Sequence, residues 1–251
     1  MLKTITIKAF DRPELLRKTL QTLIRDPGCT GWEFCVSVDM SDAQDAVVRV
    51  VQEELSDRGS YHILRCRSHL GIAKNHVNVL SFAFEELGSC WNLDFDDDYI
   101  VHEGWSNLCD YYMETLLPAH REVFSAHLQS QYLPIFVRRY QAAEELVRIY
   151  STYGHHGTLL QRERWAGDYS TWLKKLVNNG DLSCEGITLE WMRVRGLLAV
   201  RPLVSRIEFQ PNNGVNFTEE ICRKTNSEMV YTDKYLPKER FRLVDFIETQ
   251  Y

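Results

Sequence analysis

The sequence predicts an α/β fold: a mostly parallel, doubly wound sheet flanked by helices, with a smaller α+β region in the same globule. Three observations carry this. Through the first half, short apolar runs alternate with segments of helical periodicity. Acidic residues stand directly after several of the apolar runs, at Asp11, Asp39 and Asp96-Asp97-Asp98. A chain of 251 residues, 44% of them hydrophobic, can bury one large core but is too short for several independent domains.

Taken in order, Ile5 to Phe10 reads as the first strand, and Asp11-Arg12-Pro13-Glu14 as a helix start, with Asp11 as N-cap, Pro13 in the first turn and Glu14 in the capping-box position. That helix should run to Arg25, before Asp26-Pro27-Gly28. Trp32 to Val38 is a second strand ending at Asp39, Ser41 to Leu55 a second helix, and Tyr61 to Arg65 a third strand. Ile72 to Leu87 has helical spacing, and Cys90 to Phe95 is a fourth strand running straight into the acidic cluster. In parallel sheets of this kind ligands bind at the carboxyl ends of strands, so Asp11-Arg12, Asp39 and the cluster should gather along one edge.

The second half is less regular. Glu122 to Leu128 and Leu133 to Val137 read as strands, Arg162 to Val177 and Leu182 to Arg195 as helices, and Leu197 to Ile207 as extended chain broken at Pro202. Asn212-Asn213-Gly214 is a turn signal. The organisation expected is one continuous domain, with a first half at 1–118 that carries the acidic strand ends and a second half at 119–251.

Composition bounds the setting. The seven cysteines are scattered with no close pair, which predicts reduced, mostly buried thiols. The amino-terminal residues alternate as a strand does and lack a long apolar stretch, which predicts a cytoplasmic protein of a bacterial or phage-infected cell, with no membrane partner. The net charge is −6, yet residues 119–242 hold 18 Lys and Arg against 14 Asp and Glu, so the acidic part contains the cluster and the basic part should hold the acceptor.

The cluster itself, Asp96-Asp97-Asp98, forms a DXD motif. Three like charges packed after an apolar strand are unfavourable without a cation. Hard divalent ions, Mn2+ or Mg2+, accept one or two carboxylates together with substrate phosphate oxygens. A nucleotide diphosphate complex meets that requirement, and departure of such a leaving group builds up negative charge that a Lewis acid stabilises. An acceptor hydroxyl would then need one carboxylate base on the opposite face of the sugar.

With these pieces assembled, the sequence resembles the GT-A glycosyltransferases, and more narrowly the acetylglucosaminyltransferase I group and its relatives that extend O-mannose. The likeness runs from about Ile5 to Phe217 through Asp11-Arg12, Val36-Ser37-Val38-Asp39, Ile72-Ala73-Lys74-Asn75, Asp96-Asp97-Asp98 with Trp105, Leu189-Glu190-Trp191-Met192-Arg193, Arg201 to Arg206, and Gly214-Val215. The resemblance implies a metal-dependent, inverting transferase using a nucleotide-sugar donor, a UDP-sugar by the family pattern. It implies donor contacts at Arg12, Asp39, Asn75, Asp96, Asp97, Ser205, Arg206 and Gly214, with Asp98 as metal ligand. Glu190 falls where the family carries its aspartate base, with Asp181 and Glu185 as nearby alternatives. Asn212-Asn213 replaces the basic residue usual in the family's closing loop.

On the acceptor side, His155 and His156 stand between glycines, where they could orient the acceptor or ligate metal, or belong to an ordinary loop; Trp191 and Arg193 are further candidates. His76, Trp165 and Trp172 read as packing residues. The acceptor expected is a glycan or a hydroxymethylated base in viral DNA, the latter suggested by Arg138-Arg139, Lys174-Lys175, Arg193 and Arg195. A nucleotidyltransferase or a non-catalytic sugar-binding module are the alternatives. The first would carry a glycine-rich loop where Ala9-Phe10-Asp11-Arg12-Pro13 has none, and the second would not require three clustered carboxylates.

Overall fold

The computed structural model describes residues 1–130, 137–154, 156–180, 183–210, 219–227 and 229–244. The first half follows the expected alternation: β1 (Lys3–Ala9), α1 (Pro13–Arg25), β2 (Glu33–Val38), α2 (Gln44–Leu55), β3 (Tyr61–Arg65), α3 (Gly71–Ser81) and β4 (Trp91–Asp96). Three boundaries move. The N-cap of α1 is Arg12, not Asp11, and it makes no side-chain cap bond. With Pro13 at the first helical position the cap falls on the residue before it, and the Arg12 side chain is engaged elsewhere. Helix α2 starts at Gln44 rather than Ser41, and α3 ends its regular part at Ser81 before a π-helical turn over Phe82–Glu86.

The second half contains β5 (Tyr99–Val101), α4 (Trp105–Tyr111), β6 (Val123–His127), β7 (Leu146–Tyr150), β8 (Thr158–Gln161), α5 (Arg162–Ala166), α6 (Asp168–Asn178), α7 (Cys184–Arg195), β9 (Leu198–Pro202), β10 (Ile207–Phe209), α8 (Glu219–Ser227) and β11 (Arg242–Leu243). The helix expected over Arg162 to Val177 is broken at Gly167. Helix α7 begins at Cys184, where the Ser183 hydroxyl accepts the Gly186 amide, and closes at Gly196 with a left-handed φ of 62°. The strand expected over Leu133 to Val137 lies outside the described residues except Val137, which is helical.

Among the described residues, nine strands form one sheet in the order β11-β7-β9-β6-β8-β4-β1-β2-β3, and β5 pairs antiparallel with β10 in a second, small sheet. The β3-β2-β1-β4 portion is entirely parallel, and β8 enters antiparallel between β4 and β6. Ile5, Ile7, Val36, Val38, Leu93 and Phe95 are buried in one cluster with Leu16, Leu20 and Leu23 of α1. A second buried cluster joins Ala73, Leu80 and Phe84 to Trp165, Tyr169, Leu173, Trp191 and Met192. It locks α7 against α3, and the Cys184 thiol reaches the Ala73 carbonyl at 3.6 Å. Among the described residues, no helix is long and apolar enough to cross a membrane.

Candidate functional site

Because β1, β2 and β4 are parallel neighbours, their carboxyl ends deliver Phe10-Asp11-Arg12, Asp39 and Asp96-Asp97-Asp98 to one edge, as the sequence predicted. Strand β8 runs the other way, with Thr158 beside Asp94, so the loop that precedes it arrives at that same edge and brings His156. The result is a cleft of about 610 Å³ lined by Lys8, Ala9, Phe10, Asp11, Arg12, Asp39, His69, Gly71, Ile72, Asn75, Asp96, Asp97, Asp98, Tyr99, His156 and Phe209. Nucleotide-sized ligands occupy such concavities at strand carboxyl ends.

The three clustered carboxylates occupy different environments. Asp97 is 1% exposed, accepts the Phe10 amide at 3.3 Å and is bonded by Arg12 Nη2. Burial pushes its carboxyl up to about 7 against the pull of Arg12, and the like charges of Asp98 and Asp96 add to the rise. Asp98 receives Arg12 Nη1 at 3.0 Å. Asp96 is held at 3.3 Å by Lys8 Nζ.

Lys8 belongs to a buried polar ladder between β1 and β4. Thr4 donates to Asn92 Oδ1 at 2.8 Å, Asn92 Nδ2 to Thr6 Oγ1 at 2.9 Å, Thr6 to Asp94 Oδ1 at 2.8 Å, and Lys8 to Asp94 Oδ2 at 2.5 Å. His76, on α3, lies 3.3 Å from the same Asp94 oxygen. Burial alone would lower the Lys8 ammonium and raise the Asp94 carboxyl. Their mutual attraction, reinforced by Asp96 on the one and His76 on the other, wins in both cases, so Lys8 titrates well above and Asp94 well below its ordinary range.

Asp39 is fully engaged within the chain. Its Oδ1 accepts the amides of Met40 and Leu70, each at 2.8 Å, and its Oδ2 accepts the Gly71 amide at 2.9 Å beside His69 Nδ1 at 3.1 Å. It therefore ties the β2 end to the start of α3, where Gly71 supplies a φ of 75°. Asn75, one turn on, lines the cleft, gives its Nδ2 to the Ser37 carbonyl at 3.4 Å, and has a buried Oδ1 with no hydrogen-bond partner among the described residues. That acceptor suits a ligand donor.

Opposite, Tyr99 Oη lies 2.5 Å from His156 Nδ1 and 3.4 Å from Asp96 Oδ2. Burial lowers His156 to about 4, so the imidazole is neutral at physiological pH. Both contacts are satisfied when its Nδ1–H donates to the phenol oxygen and the phenol donates to Asp96. Phe209 packs on both rings.

Other expected site residues are placed elsewhere. Glu190 and Arg193 pair with each other at 2.8 Å on the exposed face of α7, so Glu190 is not brought to the cleft. Trp191 is buried against Tyr169 and Trp172, with the Arg195 guanidinium 3.2 Å from its ring centroid, and offers no face to an acceptor. Ser205 bonds the Ile207 carbonyl, and the buried Arg206 donates to the carbonyls of Glu103, Thr232, Lys234 and Glu144. Both serve as internal ties. Asp181, His155 and Gly214 lie outside the described residues. Glu185, in the first turn of α7, is exposed and is not among the residues lining the cleft; partial desolvation raises its carboxyl, Arg201 opposes the rise and Asp96 adds to it. Arg201 is fully buried, and among the described residues none of its three guanidinium nitrogens has a hydrogen-bond partner.

The donor set fits a divalent cation. Asp94, Asp96, Asp97 and Asp98 face two built-in cations, Lys8 and Arg12, leaving a surplus of negative charge and one carboxyl that ionises only with difficulty. Among the described residues, no three His, Cys, Asp or Glu side chains form a cage of their own. One or two carboxylates completed by phosphate oxygens is the arrangement magnesium-like ions take in phosphate chemistry.

No protein-family model matches the chain, and no curated protein matches it. Among solved structures it is similar to a mannosyltransferase from Pyrobaculum calidifontis, solved with GDP-Man and Mn2+, with a TM-score of 0.53 and 13% identity over 80% of this chain and 54% of that one. It is also similar to S. aureus TarS, as residues 1–349 (TM-score 0.47, 13% identity, 67% of this chain and 49% of that one) and as a longer form (0.46, 11%, 67% and 30%). The chain thus spans about half the length of the mannosyltransferase. The fold is that of the GT-A glycosyltransferases, a large mostly parallel sheet flanked by helices with a small antiparallel sheet. These neighbours do not single out the acetylglucosaminyltransferase I group.

Proposed function

We propose that this chain is a glycosyltransferase that moves a sugar from a nucleoside-diphosphate sugar to an acceptor hydroxyl with a divalent cation, Mn2+ or Mg2+. One observation carries the reading: Arg12, Asp39, Asn75 and the Asp96-Asp97-Asp98 cluster converge on a single cleft at the carboxyl edge of a GT-A sheet.

Asp98, with Asp96 beside it, would hold the cation, which supplies charge stabilisation to the departing diphosphate. Arg12 would face the diphosphate, and Asn75 Oδ1 would accept from the nucleoside or sugar. Asp39 contributes by fixing the wall that these groups share. In the reaction the bond between the anomeric carbon and the phosphate oxygen breaks, the acceptor oxygen bonds to that carbon, and the acceptor proton passes to a carboxylate. We assign that role to Glu185 rather than Glu190, because Glu185 is the α7 carboxylate within electrostatic reach of Asp96 and its raised affinity for protons suits a base. One base opposite the leaving group implies a single displacement with inversion.

For the acceptor we favour a glycan over DNA. Lys174 is bonded to Glu85, Arg193 to Glu190, and Arg195 to Asp168, so three of the six cations expected to form a basic face are already neutralised.

The test is release of nucleoside diphosphate from UDP-glucose, UDP-N-acetylglucosamine, UDP-galactose and GDP-Man with Mn2+, with and without hydroxymethylated DNA, alongside Asp98→Ala. Release that needs metal and is lost in the variant is expected, without stimulation by DNA. No release from any donor would overturn the reading, and stimulation by DNA would overturn the glycan assignment.

A further inference from the structure

The two cations built into the acidic cluster are held very differently. Lys8 sits within β1, its side chain 6% exposed, bonded to Asp94 at 2.5 Å and to Asp96 at 3.3 Å. Displacing it would leave the deeply buried Asp94 carboxylate without its ammonium, so Lys8 is a permanent counter-ion. Arg12 lies in the turn between β1 and α1, its side chain 31% exposed, and it straddles the other two carboxylates, one with Nη2 and the other, Asp98, with Nη1 at 3.0 Å. Its backbone caps α1 without using the side chain, so the guanidinium can leave without unravelling the helix. In this arrangement it occupies one oxygen of each carboxylate and places a positive charge where a divalent cation would bind, and its fork suits a diphosphate as well as it suits two carboxylates.

We propose that Arg12 is an exchangeable counter-ion that makes cation binding depend on the donor: in the free protein it neutralises Asp97 and Asp98, and an arriving nucleoside diphosphate draws it onto phosphate oxygens and frees Asp98 for the metal. The inference rests on the donor and metal reading of this cleft. It assigns an order to binding, with the nucleotide opening the metal position. By linkage, nucleotide and metal then strengthen each other by the same factor.

The experiment is a titration of free Mn2+ by electron paramagnetic resonance, with and without UDP or GDP, on the wild-type protein, Arg12→Gln and Arg17→Gln. Arg17 pairs with Glu53 and Glu54 away from the cluster, so its variant removes equal charge from the same helix without touching the exchange. The wild type should bind Mn2+ at least about tenfold more tightly with the nucleotide that fits, within the usual span of coupling between sites. Arg12→Gln should bind Mn2+ alone about tenfold more tightly than the wild type and lose most of the nucleotide enhancement, while Arg17→Gln keeps it. Equal Mn2+ affinity of the wild type with and without a bound nucleotide, or an Arg12→Gln shift of the same size in both conditions, would overturn the exchange and leave the donor reading standing. No Mn2+ binding by any of the three proteins with either nucleotide would overturn both.

Discussion

Replacing Lys8 with methionine tests the ladder beneath the site. The substitution keeps the length of the side chain and removes the ammonium that faces Asp94 and Asp96, both Lys8 and Asp94 having side chains at most 6% exposed. Burial at this level removes the solvent screening that makes surface pairs weak, so losing one partner of the pair should destabilise the protein by about 3–5 kcal/mol. The pH dependence follows from the direction of the Asp94 shift. In the wild type its depressed affinity for protons contributes stability above the ordinary carboxylate range, which is lost as pH falls through it. In the variant the same carboxyl, buried without its cation, is penalised when ionised and is relieved by protonation. The destabilisation relative to wild type should therefore be full at pH 7.5 and clearly smaller at pH 5. Urea unfolding at both values reads this directly. Lys8→Met combined with Asp94→Asn should recover at least about 2 kcal/mol at pH 7.5, because the double variant no longer buries a lone charge. A loss below about 1 kcal/mol, an equal loss at both pH values, or no recovery in the double variant would refute the reasoning.

Three further outcomes are expected. Asp97 carries a carboxyl raised to about 7, so its contribution to stability is present below the ordinary carboxylate range and lost as pH rises through 7; Asp97→Asn should be more stable than wild type at pH 8 by ~2–4 kcal/mol, the difference falling to about a third at pH 5 and closing below about pH 4, in thermal or urea unfolding. Glu185→Gln should lower the rate of sugar transfer by about 10²–10⁴ in kcat, while Glu190→Gln stays within about twofold, in a coupled nucleotide-release assay; equal effects would remove the assignment of the base. Arg201→Met should raise the melting temperature, since a fully buried guanidinium without a hydrogen-bond partner is replaced by an apolar chain of similar length; a lower melting temperature would show that the charge is compensated within the fold.

The donor side of this site was legible because its signal is local. A carboxylate placed directly after an apolar run marks a strand end, and a run of β and α segments makes those ends coincide, so Arg12, Asp39 and Asp96 to Asp98 could be gathered before any coordinates. Lys8 was not legible. Thr4, Thr6 and Lys8 alternate with Ile5 and Ile7 as the wet face of an exposed strand would, and only the pairing with Asn92, Asp94 and Asp96, more than eighty residues away, turns that face into a buried ladder. Glu190 was favoured by its place before Trp191-Met192-Arg193, yet α7 turns 100° per residue, and its buried face is Cys184, Ile187, Thr188, Trp191 and Met192. Glu190 and Glu185 are both exposed, but Glu190 is taken up by Arg193 one turn on, whereas Glu185 falls in the first turn, which the Cys184 contact holds beside α3. Strand β8 escaped notice because four residues between a glycine loop and a helix give little periodicity.

That short strand decides how the two halves meet. Had β8 run parallel to β4, its carboxyl end at Gln161 would border the cleft, and the loop carrying Gly154, His156 and Gly157 would lie at the far edge of the sheet. Running antiparallel, it places Thr158 level with Asp94 and directs the preceding loop over the acidic cluster. Gly157 is suited to this path. Its φ of 59° favours glycine, and an added Cβ would sit 3.0 Å from Leu128 and 3.2 Å from Phe95. The same reversal sets His156 on Tyr99, which in turn reaches Asp96, so the first carboxylate of the cluster is held by Lys8 on one side and by the Tyr99–His156 pair on the other. Asp97 and Asp98 share the Arg12 guanidinium, and Asp97 also accepts the Phe10 amide. A cluster whose first carboxylate is held by Lys8 and whose third is released when Arg12 moves would complete its metal position only after the nucleotide has bound, which is the order that the proposed Arg12 exchange requires.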